Sequence, residues 1–129
     1  MPMRLTLTAL LVRDYDEAIG FYVGKLGFTL AADVDQGGGK RWVAVTPAAG
    51  GAGLLLAKAA DPAQAARIGD QTGGRVFLFL ETDNFAADHA RMQAAGVRFL
   101  EAPRTEPYGT VAVFEDLYGN RWDLIEPKR

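Results

Sequence analysis

The chain has no cysteine and only one histidine in 129 residues. Without thiols it can form no disulfide, thiolate nucleophile or Cys-ligated zinc site, and a cytoplasmic location suits such a sequence. The lone imidazole, His89, falls short of the pair that a 2-His-1-carboxylate iron centre requires. No apolar run approaches the ~20 residues that span a bilayer. Residues 5–12 run straight into Arg13 and Asp14 rather than into a small-residue cleavage site, so neither a membrane segment nor a signal peptide is expected. No Lys/Arg block stands out, and the net charge is −2, so nucleic acid is not an expected partner. The composition is globular, with 49% hydrophobic and 23% charged residues. A single domain of this length, 1–129, buries roughly 65–70% of its unfolded surface.

The sequence repeats a pattern. Asp14 and Gly27 bracket one segment, and Asp83 and Gly96 bracket another of equal length, 69 residues further on. An apolar stretch precedes each Asp, at 5–12 and 76–80. Two copies of a strand-then-helix unit, each with a sheet face to bury, would enclose a cavity where their curved half-sheets meet.

Within the first unit, 5–12 reads as a strand buried on both faces. Asp14 caps a helix, with Glu17 three residues later in capping-box spacing. Ile19, Tyr22, Val23 and Leu26 follow at helical spacing, and Gly27 is the stop. Strands are expected at 28–32, 41–46 and 54–58. Residues 36–39 form a mobile loop or hairpin tip placed to gate the cavity; they lack the Gly-Lys-Ser/Thr ending of a phosphate cradle. Asp61 with Pro62 starts a short helix over 61–68 that serves as linker. The second unit gives strands at 75–81, 97–101, 110–115 and 121–126, a helix over 83–95 capped by Asp83, a loop at 103–109 and a tight turn at 116–120. The expected class is α+β: two βαβββ units, 4–58 and 75–127, joined by a helical linker over 59–74. They form a curved mixed sheet with a central cavity and helices on the outer face.

The stretch VRDYDEAIGFYVGKLGF and the later PYGTVAVFEDLYGNRWDLIEP resemble the two unit signatures of the vicinal-oxygen-chelate superfamily, with Leu117 and Tyr118 in place of the usual Pro and Asp. That superfamily holds glyoxalase I, extradiol dioxygenases, methylmalonyl-CoA epimerase, fosfomycin-modifying enzymes, and metal-free proteins that sequester bleomycin or mitomycin. The resemblance implies a homodimer with sites that combine units of both chains. It also implies a divalent metal in the enzymes, held from positions that fall here on Leu7, Leu54, Val76 and Asp123. Only one of these four can ligate, and one carboxylate does not hold a divalent ion against water. A metal-ligand-poor member is therefore expected, with no cofactor, which disfavours dioxygenase and ordinary glyoxalase chemistry. His89, in mid-helix, is expected to be solvated or at an interface.

Strand alternation assigns side chains to the cavity. Arg121, Asp123 and Ile125 point in if Asp123 does, with Trp122 and Leu124 under the helices. The same parity turns Leu5, Leu7, Ala9, Leu11, Leu54, Leu56, Val76, Leu78 and Leu80 inward. The resemblance adds Val111, Val113 and Glu115, and the repeat adds Trp42, Ala44 and Thr46. The result is an apolar bowl with Trp42, Thr46, Tyr108, Glu115, Arg121 and Asp123 as candidate ligand-binding groups, Tyr108 overhanging its mouth. Each also has a plain structural use: Trp42 as core filling, Arg121 with Asp123 as an ion pair, Glu115 as a solvated end, Tyr108 as a loop brace.

Two functions follow. One is a metal-free protein that binds or sequesters an apolar or aromatic small organic molecule, cationic ones included. The other is a lyase or isomerase in which Glu115, Asp123 or Tyr108 supplies acid/base chemistry, or which carries a non-standard divalent metal site.

Overall fold

The computed structural model describes all 129 residues and resolves into two compact units, Met1–Ile68 and Gly69–Arg129. The class is α+β, with two mixed sheets.

The first unit holds β1 (Leu7–Val12), α1 (Tyr15–Tyr22), β2 (Thr29–Gly37), β3 (Lys40–Thr46), β4 (Gly53–Lys58) and the short α2 (Pro62–Ala65). Its sheet order is β1-β4-β3-β2, with β1 and β4 parallel and the other pairs antiparallel. Asp14 caps α1, its carboxylate accepting from Glu17 N at 2.8 Å. The helix proper ends at Tyr22, earlier than the apolar spacing suggests, because Gly20 and Gly24 weaken its last turns. The chain continues through a turn and reverses at Gly27, whose φ of 79° suits glycine. Asp61 caps α2 as expected, accepting from Gln64 N at 2.8 Å.

The second unit holds β5 (Val76–Glu81), α3 (Phe85–Ala94), β6 (Arg98–Phe99), β7 (Arg104–Glu106), β8 (Gly109–Glu115) and β9 (Arg121–Pro127). The order β5-β9-β8-β6 matches that of the first sheet, and β7 adds a further pairing on β8. The cap of α3 is Asn84, not Asp83: Asn84 accepts from Ala87 N at 3.3 Å. Glu126 accepts from Phe85 N at 2.7 Å, which satisfies a second orphan donor of that helix end. Residues 103–109 are not a plain loop, since β7 lies within them. Gln36 belongs to β2, so only the tip of the 36–39 segment is a hairpin turn.

Each sheet buries one face under its helix. In the first, Leu10, Val12, Val43, Val45, Leu54 and Leu56 are all buried and lie beside one another across the ladders. They pack with Ala18, Phe21 and Tyr22 of α1, each large apolar side chain contributing about 1.5–3 kcal/mol by leaving water. In the second, Trp122, Leu124, Phe114 and Ala112 form the equivalent layer, Phe114 stacking on Trp122 at 5.8 Å.

These ladders correct four expected orientations. Leu54 and Leu56 pair with Thr8 and Leu10 and therefore lie on the helix face; Leu55 is the residue beside Ala9 and Ala44 on the other face. Leu78 and Leu80 pair with Trp122 and Leu124, also on the helix face. The cause there is a register shift between Val76 and Leu78, which reverses the parity of the rest of the strand. His89 is likewise not simply solvated. Its ring stacks on Phe85 at 5.4 Å and meets Phe99 at 4.3 Å, with Nε2 buried and unpartnered.

Candidate functional site

The candidate residues Trp42, Thr46, Glu115, Arg121 and Asp123 lie on the face of each sheet away from its helix. In the first unit it presents Leu7, Ala9 and Leu11 from β1, Leu55 and Ala57 from β4, Trp42, Ala44 and Thr46 from β3, and Ala32 and Val34 from β2. Trp42 is 41% exposed and lies across from Val34, also exposed, so it does not fill the core. Thr46 is half-buried at the strand end opposite Thr29. Apart from Thr29, Thr46 and Lys40 at the strand ends and the indole N–H, this face is apolar.

On the helix face of the same sheet, Arg41 forms a hub that the sequence reading passed over. Its guanidinium meets Asp33 at 2.7 Å and 3.0 Å and Asp16 at 3.0 Å, and its carbon lies 5.1 Å from the Tyr15 ring centre. The Arg41 bond holds the Asp33 carboxyl below its ordinary range, and the two carboxylates raise the guanidinium in turn. An open groove of about 470 Å³ runs along Asp33, Asp35, Arg41 and the hairpin glycines. Its one cation is already paired.

In the second unit the far face presents Arg121, Asp123 and Ile125 from β9, Val111, Val113 and Glu115 from β8, and Phe79 from β5. Glu115, Arg121 and Asp123 thus share a face, as expected, but they do not form one constellation. Glu115 pairs with Arg98 at 3.2 Å. Arg121 donates to the Gly74 carbonyl at 3.1 Å and makes no ion pair with Asp123. Asp123 is 9% exposed, and its Oδ1 is buried with no hydrogen-bond partner. Burial raises its carboxyl above the ordinary value of 3.8; Arg104 opposes the shift and Glu101 adds to it.

Arg104 and Glu101 escaped the sequence reading. Glu101 accepts from Val113 N at 3.0 Å and so stands in for a ladder partner between β6 and β7. Its carboxylate also holds Arg104 Nε at 3.0 and 3.2 Å. Arg104 Nη1 reaches Glu106 at 3.1 Å and the Tyr108 hydroxyl at 3.5 Å. Tyr108 lies in the β7–β8 turn, exposed, and its carbonyl accepts from Lys128 N at 2.9 Å. Phe79 was missed as well; it is 67% exposed beside Asp123. The alternation of Arg104, Thr105 and Glu106 is a readable signal for a polar edge strand, whereas no single residue announces the shift that exposes Phe79.

The donor set does not fit the metal of the superfamily's enzymes. Leu7, Val76 and Asp123 lie on the far faces and Leu54 does not; substituting Leu55 still leaves one carboxylate. No three His, Asp or Glu side chains converge in a way that could hold a metal ion. No helix is long and apolar enough to cross a membrane.

Residues 4–124 match the family described as Glyoxalase/Bleomycin resistance protein/Dioxygenase superfamily, and the chain belongs to it. An uncharacterised protein of Shewanella frigidimarina is 55% identical over 98% of this chain and 95% of its own length. The Bacillus subtilis protein YurT, also uncharacterised, is 30% identical over 96% of this chain and 99% of its own. Among solved structures, UcmS2 superposes with a TM-score of 0.83 at 32% identity, covering 97% of this chain and 98% of its own. TnmS3, an antibiotic-binding protein from Streptomyces sp. CB03234, superposes with a TM-score of 0.80 at 33% identity, covering 98% of both chains.

Proposed function

We propose that this protein binds or sequesters a small organic molecule without a metal, taking an apolar or aromatic ligand against the sheet face of the second unit that carries Asp123. The observation that carries the reading is Asp123: a buried carboxyl with an unpartnered oxygen, flanked by Val113, Ile125 and the exposed Phe79 ring. A ligand site of this composition is mostly apolar with a few placed polar groups. Similarity to an antibiotic-binding protein over nearly the whole chain supports the same reading. Tyr108, Glu115 and Arg121 of the second unit would set the ligand's orientation, and Trp42 and Thr46 on the far face of the first unit are further candidates for ligand contact. We place the protein in the cytoplasm, in keeping with its lack of cysteine, and take it to be a homodimer, as the family resemblance implies.

A thermal-shift screen of aromatic antibiotics and related compounds tests this, because a bound ligand raises stability by mass action. The expected result is a concentration-dependent rise for at least one compound in metal-stripped protein. Near-stoichiometric metal retained after dialysis against Mn, Fe, Ni and Zn would overturn the metal-free reading. One observation favours a second reading, a lyase or isomerase: a carboxyl raised by burial, as at Asp123, suits a general base near neutral pH. Asp123→Asn separates the two, since a binder tolerates the amide and a carboxylate-dependent enzyme loses turnover.

A further inference from the structure

We propose that the ligand carries a hydrogen-bond donor, a hydroxyl or an N–H, on an aromatic ring system, that Asp123 Oδ1 accepts it, and that Phe79 packs against the ring. This rests on the small-molecule reading above and specifies the ligand's chemistry.

Asp123 is more than nine-tenths buried and its Oδ1 has no partner. Buried acceptors in folded proteins are nearly always satisfied, so an exception calls for a reason. Its strand neighbours offer none: Val113 stands across β8, Phe79 across β5 and Ile125 along β9. Arg121, the remaining neighbour on that face, spends its Nη1 on the Gly74 carbonyl. Arg104 acts on Asp123 electrostatically, but its Nε and Nη1 are taken by Glu101, Glu106 and Tyr108. No donor of this chain bonds Oδ1, which leaves the place open to one that a ligand brings.

Phe79 supplies the second half. It lies directly beside Asp123, and as a large ring two-thirds exposed it can swing aside to admit a ligand and then cover it. A site built around a hydrogen-bond acceptor on apolar ground rejects an analogue that lacks the donor far more strongly than one that differs only in size. A neutral hydroxyl or N–H and an ammonium can each supply the proton that Oδ1 lacks.

The test uses three probes of one ring size: 1-naphthol, 1-methoxynaphthalene and 1-naphthylmethylamine, titrated calorimetrically into the full chain. The expected result is that 1-naphthol or the amine binds at least about tenfold tighter than the ether. That preference should vanish in Asp123→Leu and persist with naphthol in Asp123→Asn, which keeps an oxygen in place. Circular dichroism checks folding, and Asp123→Ala replaces the Leu variant if the latter does not fold. A tighter amine whose advantage is lost in Asp123→Asn identifies the donor as an ammonium and supports the proposal. Equal affinities in the wild type, or a preference that survives in Asp123→Leu, overturn it while leaving small-molecule binding intact. Failure of all three probes to bind overturns it together with the reading on which it rests.

Discussion

Phe79 lies directly opposite Asp123 on the parallel β5–β9 pair, and it does so because the strand register shifts between Val76 and Leu78. Without that shift Leu78 would occupy the place and the aromatic ring would lie on the helix face. Since Phe79 is 67% exposed, its truncation removes little packing. Phe79→Ala is expected to change unfolding free energy by no more than about 0.5 kcal/mol. Its affinity for an aromatic ligand should fall roughly two- to tenfold, the worth of one aromatic pair. Parallel urea melts and ligand titrations check both halves; a large loss of stability with unchanged affinity would make Phe79 a structural residue.

The Asp123 carboxyl gives a pH signature. Burial raises its folded-state pKa above 3.8, so the folded protein binds this proton more tightly than the unfolded chain. Its contribution to stability is then greatest below 3.8 and declines as pH rises toward the raised folded-state value, levelling off above it. Asp123→Asn lacks that titration. Urea unfolding of both proteins across this range should show the wild type losing stability relative to the variant as pH rises. Curves that stay parallel would mean that the carboxyl is not desolvated in solution.

Asp116 organises the turn that leads into β9. It is buried, and its carboxylate accepts from Tyr118 N, Asn120 N and Asn120 Nδ2, each at 2.9 Å. Asp116→Ala leaves these donors without their partner and is expected to cost about 3 kcal/mol. The corresponding fall in Tm is roughly 10 °C. Asp116→Asn keeps one acceptor oxygen and should cost less. A calorimetric scan showing both variants within a degree or two of wild type would mean that these hydrogen bonds do not hold the turn.

The fold was legible because β1 and β5, and likewise β3 and β8, start 69 residues apart, the spacing visible in the sequence. The site was legible only in part, and two local irregularities account for the errors. The connection from β3 to β4 is one residue longer than that from β8 to β9. A constant offset therefore matched Asp123 with Leu54, when the ladders match it with Leu55: Leu55 lies opposite Ala44, as Asp123 lies opposite Val113. The shift in β5 did the same to Leu78, Leu80 and Phe79. A single inserted residue costs little in a loop and leaves no composition signal, yet it turns every later side chain to the opposite face. Glu101 and Arg104 were hidden for another reason. Their roles come from closing a gap in the ladder at Val113 N, which no local pattern announces.

His89 tests the helix-side core of the second unit. Its ring lies between Phe85 and Phe99, close to parallel with the first at 14°, and its Nε2 is buried with no partner. The imidazole thus serves as packing while leaving a polar atom unsatisfied, two effects of opposite sign. His89→Leu keeps most of the volume and removes the unpaired nitrogen, so it should stabilise the protein by about 1 kcal/mol. His89→Ala removes the contacts with both rings and should cost about 2 kcal/mol. The contrast between the two variants in chemical denaturation is the informative quantity. If both destabilise equally, the nitrogen is partnered in solution and the ring is held by a polar contact rather than by its aromatic neighbours.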